Sequence, residues 1–244
     1  MNEVLVCLLL SVVVAATQHI AGTEEFIAAV KQGDEGRIES MLKESARLAA
    51  ARDPKGVSAP LLALYHGKKE IAQRLAASKE AVEPLDVFEA AAFGRIERLT
   101  ALLSTDPGLA NAYAQDGFFP LGLAAFYGQE KAVTILISAG ADPNLTARNS
   151  MKVRALHAAA AAHSLPIADQ LIAGGADLNA PQQGGFTPLH EAAGSGQVAL
   201  ARRLIDAGAD INAKADDGRT ALSMARDQQN QEMVQLLRAR GAVE

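Results

Sequence analysis

The chain of 244 residues has no tryptophan, one cysteine and only ten aromatic residues, three Tyr and seven Phe. A lone Cys7 excludes an intrachain disulfide and a cysteine-based zinc site, since both need a second thiol. Catalytic signatures are missing too. No His-x-x-x-His pair with a nearby carboxylate occurs, and no Gly-rich loop closed by Lys-Ser or Lys-Thr. Ala193-Gly194-Ser195-Gly196 lacks the strand context of a nucleophile elbow. The net charge of −5 excludes the basic surplus of a general nucleic-acid binder. Nothing points to a metal, a cofactor or a small-molecule substrate.

What is present is alanine and a repeat. Hydrophobic residues make up 49% of the chain, which with so few aromatics suits close helix stacking. The stretch Gly185-Phe186-Thr187-Pro188-Leu189-His190-Glu191-Ala192-Ala193 is followed by Gly196 and Ala207-Gly208-Ala209-Asp210. Thirty-three residues on, Gly218, Thr220, Ala221, Leu222 and Ala225 fall in the same places, and Gly241-Ala242 repeats Gly208-Ala209. Self-similarity at this period around Thr-Pro-Leu-His resembles the ankyrin repeat, a unit of two antiparallel helices and a β-turn. The resemblance implies an all-α repeat fold: an ankyrin α-solenoid of about seven helix-turn-helix units with short β-hairpin connections. It covers residues 23–244 and is clearest from Asp86 onward. The arrangement looks like the free-standing ankyrin proteins common in bacteria.

The residue between the two helices of each unit is the ruler, because that turn favours positive φ. Gly33, Gly67, Gly94, Gly128 and Gly196 take the place, with His163 and Gln229 in two units. The units then lie near 23–52, 53–84, 85–114, 115–147, 148–181, 182–215 and 216–244. The step from Gly67 to Gly94 is short and 78–84 carries no Gly-Ala-Asp ending, so an irregularity is expected between the second and third units. The step from Gly128 to His163 is two residues longer than the period, placing a lengthened tip in Asn149–Arg154. Pro120 and Pro188 fit the first helical turn, and the Thr187 and Thr220 hydroxyls are suited to cap it. Phe119 and Arg154 stand where Thr is usual and Gly122 where His is usual. His157 and His190 are read as structural, bonding between neighbouring tips.

Before the first unit, Val4 to Ala16 form a largely apolar run of thirteen residues, with Ser11 in its middle. It is too short to span a bilayer but fits a signal-peptide core, with Val14-Ala15-Ala16 offering small residues for cleavage before Thr17. Residues 1–22 are therefore read as a signal peptide, although Met1-Asn2-Glu3 lack the usual Lys or Arg. The expected location is periplasmic or secreted, the alternative cytoplasmic. No stable membrane span is expected.

Ankyrin-like arrays bind partners on a concave side built from the tips and the exposed positions of the first helices, and this is what the resemblance implies here. Those positions hold Tyr65, His66, Phe93, Phe126 and Tyr127, and the residue after the tip Gly adds Phe118 and Phe186. Exposed aromatic clusters on a scaffold of this kind mark binding hot spots. Consecutive helical residues such as Phe126 and Tyr127 cannot both turn inward. The compact basic segment around Met151, Lys152 and Arg154, with Arg148, is the second candidate contact. The sequence thus reads as a non-catalytic protein–protein interaction scaffold, monomeric, with a protein partner. The rival reading is an enzyme, or an enzyme-assembly factor whose partner supplies the chemistry.

Overall fold

A computed structural model describes residues 21–243, and among them are fourteen α-helices in seven consecutive pairs. The pairs are α1 (Thr23–Gln32) with α2 (Glu35–Glu44), α3 (Ala59–Tyr65) with α4 (Lys69–Glu80), and α5 (Val87–Ala92) with α6 (Ile96–Thr105). Next come α7 (Pro120–Phe126) with α8 (Glu130–Ser138), and α9 (Ala155–Ala161) with α10 (Leu165–Ala173). The last are α11 (Pro188–Gly194) with α12 (Val198–Asp206), and α13 (Ala221–Asp227) with α14 (Gln231–Ala239). The signal-peptide reading rests on residues 4–16, which lie outside the described residues.

The residue that turns the chain between the two helices of each pair is left-handed in every case, from φ +53° at Gln229 to +80° at Gly33. His163 and Gln229 adopt this conformation at φ +55° and +53° despite carrying side chains. Local geometry therefore overrides residue preference at both places.

The chain divides into two compact units, Met1–Pro84 and Leu85–Glu244. In the first, α1 packs on α3, and Arg74 on α4 reaches back to Glu35 and Glu39 on α2 at 2.9 and 2.8 Å. Helix α4 runs on to Glu80, and Val82 and Glu83 N–H groups then close onto the Lys79 carbonyl. Chain that elsewhere forms a Gly-Ala-Asp ending is used here as helix, which accounts for the short step from Gly67 to Gly94. Lys79 is buried and pairs with Glu83 at 2.7 Å.

In the second unit the five pairs stack in series. First helices pack on first helices, from α5 through α7, α9 and α11 to α13, and second helices on second helices, from α6 to α14. The seam between them is alanine (Ala124, Ala125, Ala159, Ala160, Ala192 and Ala193, all buried), which lets the helices approach closely. Leu99, Leu136, Leu171 and Leu204 from the second helices fill the remaining space. Burying each such side chain stabilises the fold by about 1.5–3 kcal/mol.

The expected β-hairpins take a different form. Among the described residues no strand occurs, and one isolated bridge joins Arg52 to Ser58. Each tip in the second unit is instead a tight loop closed by one backbone bond: Ala114 N–H to Phe118 O, Gln182 to Phe186 and Ala215 to Arg219, at 2.8–2.9 Å. The corresponding bond from Ala147 to Val153 spans two more residues, which locates the lengthened tip. A ladder does not form because the remaining tip groups bond to the neighbouring tip. Arg148 N–H donates to Gly117 O (2.8 Å), Gln183 to Met151 O (3.0 Å) and Asp216 to Gly184 O (2.9 Å). At Gly117 the approach is so close that a Cβ would lie 2.6 Å from the Arg148 carbonyl carbon.

An asparagine relay ties the pairs together on the way into the tips. Asn111 donates to Gly140 O (2.9 Å) and accepts from Asp142 N–H (2.8 Å), and Asn144 does the same to Gly175 O (3.0 Å) and from Asp177 N–H (2.7 Å). Asn179 accepts from Asp210 N–H at 2.8 Å, and Asn212 bonds Gly241 O and Val243 N–H.

Candidate functional site

The first helices of the second unit are six or seven residues long, so each presents only its last turn and the residues flanking it. On α7, Leu121, Leu123, Ala124 and Ala125 face the core. That places Phe126 outward, 49% exposed. Tyr127 follows at the C-cap, half-buried, and its ring meets Phe126 edge to face with centroids 5.1 Å apart. Burial, and after it the charge of Asp116, push the Tyr127 phenol above its ordinary range. Tyr127 thus lies within the field of the tip that precedes its own helix. Asp116 Oδ1 is held by Phe118 N–H at 3.2 Å, and the Asp116 carbonyl accepts from Asn149 Nδ2 at 3.2 Å in the next tip.

That next tip carries Met151, 42% exposed, and an exposed Lys152 in the left-handed region at φ +51°. It is held on both sides by the Arg148–Gly117 and Gln183–Met151 backbone bonds and internally by Met151 N–H to Asn149 Oδ1. Arg148 lies over the Tyr113 ring, 3.8 Å from its centroid.

Other expected contacts are redistributed. Phe93 is 4% exposed, which removes it from any partner surface; this residue at the C-cap of α5 withdraws its ring from water beside the alanines of that helix. Phe118 is half-buried against the core. Phe186 is half-buried and engaged on its own chain, edge-on to His190 with centroids 5.8 Å apart and under the Arg219 guanidinium. Arg154 is drawn inward, with Nε bonded to Thr146 and Nη1 paired with Asp177 at 3.2 Å. In the first unit Tyr65 is half-buried and His66 exposed. The structure therefore leaves Phe126, Met151 and Lys152 exposed, sets Tyr127 against Phe126, and turns Phe93 and Arg154 to intrachain use.

Sequence reasoning missed that Phe119 and Gly122 are one substitution in two parts. Phe119 is fully buried, edge-on to Tyr113 at 6.2 Å, and its ring occupies the space above Gly122. The signal was there: both departures from Thr-Pro-Leu-His fall in the same helix start.

The two motif histidines are neutral links between tips. Backbone N–H groups of Arg154 and Thr187 can only donate, so the Nδ1 atoms they meet at 3.4 and 3.1 Å are acceptors. Nε2 then carries the proton and donates to the carbonyl of the next tip, His157 to Phe186 (3.2 Å) and His190 to Arg219 (3.1 Å). Burial pushes His157 down to about 4, with the nearby Arg154 charge acting the same way, and burial likewise lowers His190. Thr187 is the N-cap of its helix in a capping box with His190, and its hydroxyl also meets His190 Nδ1 at 2.9 Å. Thr220 caps too, accepting from Ser223 N–H at 3.2 Å.

Among the described residues no group of three or more His, Cys, Asp or Glu side chains converges, and no helix is long and apolar enough to cross a membrane. Stacked helix pairs, tied tip to tip, define a repeat scaffold that leaves Phe126, Met151 and Lys152 exposed. The family model described as ankyrin repeats (3 copies) matches residues 87–182 and 156–243, more than half of the chain, which therefore belongs to the ankyrin repeat family. No curated relative matches the chain. Ankyrin repeats generally mediate protein–protein interaction, and the family is typically non-catalytic.

Proposed function

We propose that the chain is a monomeric, non-catalytic module that captures a protein partner on the face formed by the end of α7 and the tip preceding α9. The observation that carries the reading is Phe126, a large aromatic ring half in water and braced edge-on by Tyr127. Removing such a ring from water is worth about 1.5–3 kcal/mol, and aromatic anchors of this kind dominate binding energies. Phe118 and Phe186, both half-buried, are peripheral to this face. The tip is fixed by backbone bonds before any partner arrives, so little conformational entropy is lost on docking. We further propose that residues 1–22 are an export signal, which sequencing of the mature N-terminus tests.

The interaction reading is tested by affinity capture from native extract with the wild-type chain beside the double variant Phe126→Ser/Tyr127→Ser. Loss of the captured protein, with an unchanged thermal midpoint, supports the reading. Equal capture by both proteins overturns it.

A further inference from the structure

The sharpest clue to the partner's chemistry is the charge state of the lengthened tip. Several guanidinium groups of the second unit have a carboxylate of their own: Arg154 with Asp177, Arg203 with Asp169, Arg219 with Asp217 and Arg240 with Asp206. Arg148 and Lys152 do not. Both are exposed, and neither has a carboxylate within ion-pairing distance among the described residues. Arg148 is braced over Tyr113, and Lys152 is held left-handed between Met151, whose carbonyl is bonded to Gln183, and the loop-closing Val153.

Arg148 is thus braced, Lys152 stands on a backbone held on both sides, and the tip carries an exposed thioether; Asn149 bonds the tip to Asp116, whose charge reaches Tyr127 beside Phe126. Asp116 is the nearby negative charge, with one oxygen held by its own loop. A lysine in a strained left-handed conformation, on a loop two residues longer than its neighbours, is not needed for stacking. The shorter tips at 114–118, 182–186 and 215–219 close and bond to their neighbours with glycine in the left-handed region, Gly117, Gly184, Gly185 and Gly218 at φ +77° to +83°.

We infer that this face takes an acidic protein segment, with carboxylates against Arg148 and Lys152 and an apolar side chain lodged against Met151 and Phe126. The inference rests on the binding face proposed above. Electrostatic complementarity of this sort sets partner choice and association rate more than raw affinity, and it weakens with salt.

The test uses the full chain and two fluorescein-labelled peptides, one with Glu residues flanking a Leu-Phe pair and one with Lys replacing each Glu. Fluorescence anisotropy is expected to give at least about tenfold tighter binding of the acidic peptide at low salt, narrowing as salt rises. The variant Arg148→Glu/Lys152→Glu should reverse the preference, and Phe126→Ser should weaken the acidic peptide without changing its salt dependence. Equal binding of the two peptides, tighter binding of the basic one, no binding of either, or a preference that survives the charge reversal overturns the inference. If the preference is absent while Phe126→Ser/Tyr127→Ser still abolishes capture from extract, the acidic partner is disproved and the binding face stands.

Discussion

The ring of Phe119 occupies the place that a side chain at position 122 would need: a Cβ on Gly122 would lie 2.9 Å from Phe119 Cζ. The ring is buried where other pairs place threonine, and glycine stands where histidine is usual, so each departure makes room for the other. Gly122→Ala alone should destabilise by about 1–3 kcal/mol through overpacking. Phe119→Thr alone should lose about 3 kcal/mol or more by opening a cavity. Phe119→Thr/Gly122→His, which restores Thr-Pro-Leu-His, should lose clearly less than the sum of Phe119→Thr and Gly122→His. Urea unfolding of the set measures this, and additive effects would break the link.

His157 makes the fold sensitive to mild acid. Its folded value, about 4, lies below the ordinary 6.5, so between the two the unfolded chain binds a proton that the folded chain refuses. The stability from the neutral imidazole is complete above about 6.5 and is lost as pH falls toward 4, a change on the order of 3 kcal/mol. Protonation also places a hydrogen on Nδ1 opposite the Arg154 N–H. His157→Gln is expected to flatten the pH dependence of the unfolding free energy across that window. A variant as acid-sensitive as the wild type would assign the effect elsewhere.

At the turns, His163 and Gln229 carry a left-handed backbone that glycine adopts freely. His163→Gly and Gln229→Gly should each stabilise the chain by about 1 kcal/mol. Gly128→Ala is the converse. Nothing lies within 4 Å of a Cβ there, so its loss of about 1 kcal/mol would report backbone strain alone. Thermal midpoints that move the opposite way would contradict the assignment.

Phe93 and Phe126 separate stability from binding. Phe93→Ser should destabilise by about 3 kcal/mol or more, as expected for emptying a buried aromatic site. Phe126→Ser should stay within about 0.5 kcal/mol of wild type, because its ring is already half in water. Paired thermal melts decide the matter, and similar losses in both would make Phe126 a core residue.

Much of the fold was legible in the sequence because the repeat has rigid local demands. The seven turn residues could be named in advance, including the two that are not glycine, since one left-handed residue must stand between each pair of helices. Tight spacing of Gly67 and Gly94 likewise announced a changed connection, which the extended α4 supplies. The site was legible only in part. Position within the repeat placed Phe93 and Phe126 alike, yet one is buried and the other exposed, because the space available to a side chain depends on residues far away in sequence. Arg154 was similarly taken by Asp177, a partner that periodicity cannot reveal. The rule that adjacent helical residues diverge did apply to Phe126 and Tyr127, since it depends only on local geometry.

The asparagine relay also has a direction. Each amide reaches toward the C-terminal neighbour, so losing the final helix pair merely returns the Asn212 side chain to water. Losing a pair at the other end leaves the Gly140 carbonyl and Asp142 N–H of a tight turn without their partner. The turns after α8 and α10 are each held by an asparagine of the pair before, Asn111 and Asn144, so every turn of this kind borrows its rigidity from the pair behind it.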